Sequence, residues 1–212
     1  WTGGRIQGTG SELVTLDAGG VATLSGGQHT LDQRQFVLNG IGNWTTGLIE
    51  LANGARFEIG PSGTLNSNPA GAFESFFGNG PGTAELRNFG AIVKLGSGSS
   101  GIGQSVQYSG PGSITVTGGE LIVAATSVAP LVGSYTADVG AALQFVASNR
   151  SFGSLATLGG AGTLVFGDAG PAISDNTVDA CVSAGANLAI RHARLVLNCA
   201  LATSLGSLLM ID

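Results

Sequence analysis

The feature that most constrains this chain is a repeat. Trp1-Thr2-Gly3-Gly4-Arg5-Ile6 returns as Trp44-Thr45-Thr46-Gly47-Leu48-Ile49, an offset of 43 residues. A second pattern, Gly-Ala-x-apolar-x-apolar, occurs at Gly54 to Ile59, Gly140 to Phe145 and Gly185 to Ile190. The first two copies are 86 residues apart, twice 43, and the third follows 45 later. Shorter relatives start at Gly112, Gly119 and Gly162. Self-similarity at a fixed period marks architectures in which one unit cannot bury its apolar face alone and must stack on its neighbours.

The unit itself reads as a strand entered through a turn. Residues of a strand alternate faces, so its two apolar positions point the same way, into a core, and the residue between them points out. The leading Gly supplies a backbone conformation that other residues resist, letting the chain turn a corner. On this reading Phe57, Ile59, Leu143, Phe145, Leu188 and Ile190 form the core stack, and Glu58, Gln144 and Thr115 face solvent. An offset of 43 suits two coils of about 21 residues, and some ten coils would make a rod on the order of 50 Å long. The expected fold is all-β: one parallel β-solenoid segment of a longer chain, regular over 1–167 and divergent over 168–212.

Composition agrees. Gly contributes 37 residues and charged residues only 10%, yet 43% are apolar, which supplies more surface to bury than a disordered chain has. The glycines lack the every-third spacing of collagen. Short β-branched or alternating runs bounded by Gly, Asn, Ser or Pro recur, such as Leu13 to Leu16, Leu48 to Leu51 and Ile92 to Leu95. The best helical candidate, Asn198 to Leu209, is weakened by Gly206. A β-sandwich would show stronger hairpin signals, and a propeller needs four strands per blade.

Trp1 to Gly4, Gly20 to Gly27, Thr30 to Asp32, Asn43 to Thr45, Asn53 to Ala55 and Phe57 resemble large secreted repeat proteins with Trp-Thr-Gly-Gly and Gly-Ala-Thr-Leu β-helix repeats. The resemblance spans about 1–167. It implies an adhesin-like or filament-forming chain, extracellular or at the cell surface, whose partners are neighbouring modules, copies of itself or glycans. It implies architecture more than activity, and the residues from Asp168 onward depart from it.

Chemistry-bearing residues are sparse. A net charge of −5 without a basic stripe argues against nucleic acid, and no apolar run is long enough for a membrane-spanning helix. With only His29 and His192, and with Cys181 and Cys199 at no zinc-like spacing, no metal or other cofactor is expected. Gly96 to Gly101 reads as a flexible Gly/Ser loop, since neither Lys-Ser/Thr nor a helix follows it. The enzymatic alternative is a polysaccharide lyase or hydrolase, or a carbohydrate-binding module. Its candidate cluster is Asp175, Asp179, Arg191, His192 and Arg194, which stacking would bring together. A lesser alternative, an ice-binding solenoid, would need a regular outward Thr ladder. Cys181 and Cys199, close to one coil apart, are spaced for a disulfide between coils. Asn43 and Asn149 begin N-glycosylation triplets. A non-enzymatic structural module is the expected function.

Overall fold

The structure, a computed structural model, describes residues 1–10, 12–68, 74–146, 150–168, 174–179, 182–183, 185–198 and 205–211. Every strand pairing among them is parallel, so the chain winds and does not fold back on itself. It makes about eight complete turns spaced by roughly 22 residues. This is a β-solenoid with three faces.

Among the described residues the first face is a sheet of ten strands: Gly4–Gln7, His29–Asp32, Ile49–Ala52, Glu74–Asn79, Ser99–Ile102, Glu120–Val123, Ala142–Phe145, Thr163–Phe166, Ala186–Arg191 and Leu205–Ile211. The second face begins with Leu13–Leu16, Gln35–Leu38, Arg56–Ile59, Ala84–Asn88 and Val106–Ser109. After single bridges at Thr126 and Leu131 it resumes as Arg150–Phe152, Ser174–Val178 and Ala193–Leu197. Seven strands from Val21–Leu24 to Thr157–Gly159 form the third face. Most strands have four residues, enough to place two side chains inward before a corner.

The core consists of rows that run from coil to coil. On the first face Ile49, Phe76, Ile102, Val123, Phe145, Phe166 and Ile190 are in register and buried. Phe36, Phe57, Leu86 and Tyr108 make a row on the second face, and Leu65, Ile92, Ile114, Tyr135 and Leu158 one on the third. Burying each Val, Leu, Ile or Phe contributes about 1.5–3 kcal/mol relative to exposure. All six residues of the expected core stack are buried. They do not form one stack, because Phe57 and Ile59 belong to the second face and the other four to the first.

The repeats mark corners more faithfully than coils. Ser25 N donates to Trp1 O at 3.0 Å and Thr45 N to Leu24 O at 2.9 Å. Trp1, Leu24 and Trp44 therefore occupy one corner of three successive coils, and 43 residues is two turns there. Gly54, Gly140 and Gly185 share φ values of 79°, 78° and 81°. Yet Gly54 turns the chain from the first face to the second, whereas Gly140 turns it from the third to the first. The 86-residue offset therefore joins two different corners. Coil length also varies: Ile49 pairs with the residue 20 before it, His29, and with the one 27 after it, Phe76.

Three expectations fail. Leu205–Ile211 is a strand, not a helix end: pairing with Ala186–Arg191 outweighs its Leu-rich propensity, and the bulge between Ala186 and Asn187 takes up the extra Gly206. The Gly/Ser segment is not a flexible loop, since Ser99–Ile102 is a first-face strand and Ser100 Oγ lies 2.6 Å from Ser67 Oγ inside the solenoid. Gln144 points outward by register but is 7% exposed, its Nε2 donating to Gly167 O at 3.1 Å. Gly-rich strands and satisfied buried amides look like loop and surface to any test based on residue type.

Candidate functional site

Outward positions of the first four coils on the first face form a cleft of about 340 Å³ lined by Arg5, Gln28, Thr30, Glu50, Asn53 and Asn79, with Ala52 and Gly80. Strand register assembles it. Arg5, Thr30, Glu50 and Phe77 lie side by side in one outward row, and Gln7, Asp32, Ala52 and Asn79 in the next.

Two carboxylates anchor the cleft. Glu50, 7% exposed, accepts from Gln28 Nε2, Thr30 Oγ1 and Asn79 Nδ2, each at 2.7 Å. Desolvation pushes its pKa up, but the hydrogen bonds from Thr30, Asn79 and Gln28 together leave it lowered. Asp32, 1% exposed, accepts from Asn53 Nδ2 at 2.6 Å and is ion-paired with Arg5. The Asn53 hydrogen bond is the main reason its pKa is lowered. Both groups are charged at neutral pH, and with Arg5 the cleft carries one net negative charge. The remaining valences are those of planar amides and a half-exposed guanidinium.

The lumen also holds polar groups. Lys94, fully buried, donates from Nζ to the carbonyls of Leu95, Gly96 and Gly118 at 2.5, 3.0 and 3.3 Å, tying successive turns of one corner. Arg150, 2% exposed, donates to Val123 O and Val146 O at 2.7 and 3.3 Å and lies over the Phe145 ring. Among the described residues its Nε and Nη1 have no hydrogen-bond partner. His29 is fully buried against Trp1, with ring centroids 4.8 Å apart. Nothing in the local sequence around these residues separates them from surface cations.

The residues singled out from sequence are only partly brought together. Asp175 and Arg194 are paired across one coil by two hydrogen bonds of 2.9 and 3.1 Å, both side chains well exposed. Asp179 accepts from Asn198 Nδ2 at 2.8 Å. Arg191 ends its strand, and His192 turns the corner at φ 40°. Among the described residues, no hydrogen bond or ion pair joins either of these two to Asp175 or Asp179. Asn43 lies in a third-face strand, where its Oδ1 accepts from Asn66 Nδ2 at 2.9 Å. Asn149, Cys181 and Cys199 lie outside the described residues.

The third face differs from the first in having no charge outside. Its outward rows are Val21, Ile41, Thr64, Ala91, Ser113, Ser134 and Thr157, and Thr23, Asn43, Asn66, Val93, Thr115 and Thr136. Hydroxyl, amide and apolar side chains alternate in them without a uniform Thr ladder.

No protein-family model, curated protein or solved structure matches the chain. Among the described residues no helix is long and apolar enough to cross a membrane, and no three His, Cys, Asp or Glu side chains converge as metal ligands.

Proposed function

We propose that the chain is a structural rod segment of an extracellular or cell-surface protein, joined end to end with neighbouring modules or copies of itself. The observation that carries this reading is the continuity of the core rows. Phe145, Phe166 and Ile190 lead without a break to Met210 on the last first-face strand. On that strand Leu208 and Met210, in register with Leu188 and Ile190, are 55% and 64% exposed. A parallel edge of this kind extends by adding strands, so stacking gives length without any new type of contact. Catalysis is not part of the proposal, because Asp175 is held by Arg194 and Asp179 by Asn198. An oxidising location would go with a Cys181–Cys199 bridge, which alkylation of unreduced protein and mass spectrometry would detect.

Sedimentation and negative-stain microscopy test the rod. End-to-end particles that shorten when Leu208 and Met210 are both changed to Lys support it. Monomers alone at every concentration, or polysaccharide turnover that disappears with Asp175→Ala or His192→Ala, would overturn it.

A further inference from the structure

The first-face cleft has a chemistry that a spacer does not require. Its six polar side chains come from separate strands and corners of four coils, yet hydrogen bonds fix almost all of them. Asn79 and Gln28 are oriented by Glu50, and Asn53 by Asp32. Each amide commits its nitrogen to a carboxylate. The amide oxygens of Gln28, Asn53 and Asn79 accept no hydrogen bond from the described residues. Arg5 spends one nitrogen on Asp32, and its side chain is 51% exposed. The cleft therefore offers fixed acceptors and guanidinium donors within a small space, already ordered before anything binds.

Two further observations define the occupant. Phe77, half-buried, stands next to Glu50 in the same outward row, beside the cleft and outside its lining. An aromatic ring beside a polar cleft gives a flat apolar surface for the C–H face of a ring-shaped ligand. Gly80 lines the mouth with φ 76°, and a Cβ there would lie 2.1 Å from Asn53 Oδ1. Any side chain at this position would clash with the Asn53 amide and displace it.

We propose that this cleft binds a neutral carbohydrate. Sugar hydroxyls donate and accept at once, which matches three amide oxygens together with the Arg5 guanidinium. One pyranose face would rest on Phe77 while its hydroxyls meet Gln28, Asn53, Asn79 and Arg5. A uronate or sulfated chain is disfavoured, because Glu50 and Asp32 leave the cleft net negative. A divalent cation is disfavoured too, since both oxygens of Glu50 already accept strong hydrogen bonds. The inference is independent of the rod proposal, and either can fail without the other.

The test is calorimetric titration of the whole chain with cellohexaose, maltohexaose, mannohexaose, xylohexaose and galactohexaose, with an oligogalacturonate as the anionic arm. Binding of at least one neutral oligosaccharide is expected, weakened roughly tenfold or more in Asn79→Ala and in Phe77→Ala. Both positions face outward, so thermal unfolding of the variants reports whether the fold is intact. A third variant, Gly80→Ser, should also weaken binding by displacing Asn53. The proposal is overturned if no neutral probe binds at about 10 mM, if the oligogalacturonate binds in preference, or if folded Asn79→Ala and Phe77→Ala bind as the parent does.

Discussion

The rings of Phe57 and Phe76 meet edge-on with centroids 5.4 Å apart, although Phe57 stands on the second face and Phe76 on the first. Phe57 also stacks on Phe36 at 5.0 Å, and Phe76 meets Trp44 of the third face at 5.2 Å. These four rings join all three faces across the lumen. Phe57→Ala should therefore destabilise the chain by roughly 3–5 kcal/mol, the range for deleting a buried Phe, because rings anchored on different sheets cannot collapse into the space. Urea unfolding checks this. As a control, Val139→Ser, at a residue 80% exposed, should stay within about 0.5 kcal/mol of the parent.

Corners make a sharper contrast. Gly47 has φ 91°, and a Cβ there would lie 1.9 Å from Gly27 O of the preceding coil. Gly140 has φ 78° with nothing within 4 Å of such a Cβ. Gly140→Ala should lose only the left-handed backbone term, on the order of 1–2 kcal/mol. Gly47→Ala should lose more, because coils stacked by strand hydrogen bonds cannot separate locally. Equal losses in thermal or urea unfolding would show that the coils yield.

Much of this fold was legible in the sequence, for a simple reason. The Gly-x-apolar-x-apolar unit encodes a corner and two inward positions within a few residues, so the strands and the burial of Phe57, Ile59, Leu143, Phe145, Leu188 and Ile190 could be read locally. Which face each unit lies on is set by the number of corners between copies, and Gly54 and Gly140 show that the same unit serves two of them. The cleft was not legible at all. Arg5, Thr30, Glu50 and Asn79 are successively 25, 20 and 29 residues apart, and only uneven coil lengths bring them into adjacent layers. Of the cluster expected at Asp175, one coil of separation pairs Asp175 with Arg194, whereas Arg191 ends its strand and His192 turns the corner.

His29 makes the first coils sensitive to acid. Desolvation lowers its pKa from 6.5, and the Thr46 carbonyl near Nε2 offsets this only in part. The folded chain then holds fewer protons on this residue than the unfolded chain just below pH 6.5. Stability contributed by neutral His29 is complete above that pH and falls as acidification proceeds toward the folded pKa. Unfolding measured at pH 7 and pH 5 should show a loss that His29→Gln diminishes. An NMR titration should place the His29 midpoint below 6.5. A midpoint above 6.5 would contradict the burial argument.

Arg150 points the other way. Its guanidinium is inside the solenoid, and desolvation pushes its pKa down to about 10. An unfolded arginine keeps its proton to well above that pH, so the folded state is penalised at neutral pH and relieved only as the pH rises through 10 and beyond. A shift of that size corresponds to on the order of 3 kcal/mol. Among the described residues Nε and Nη1 are left without partners and no carboxylate pairs with the group. Arg150→Met keeps most of the side-chain volume and its contact with Phe145 while removing the charge. Val123 O would still accept from Val146 N at 3.1 Å, so one of the two carbonyls that Arg150 serves keeps a donor. Replacing buried ions by apolar residues of similar volume is often stabilising by about 1–4 kcal/mol. Arg150→Met should accordingly be more stable than the parent at pH 7 by about 1–3 kcal/mol in urea unfolding, with the difference narrowing at alkaline pH. A less stable variant would mean that the two hydrogen bonds to Val123 and Val146 outweigh the desolvated charge, and that Arg150 is a fastener of the coil it enters.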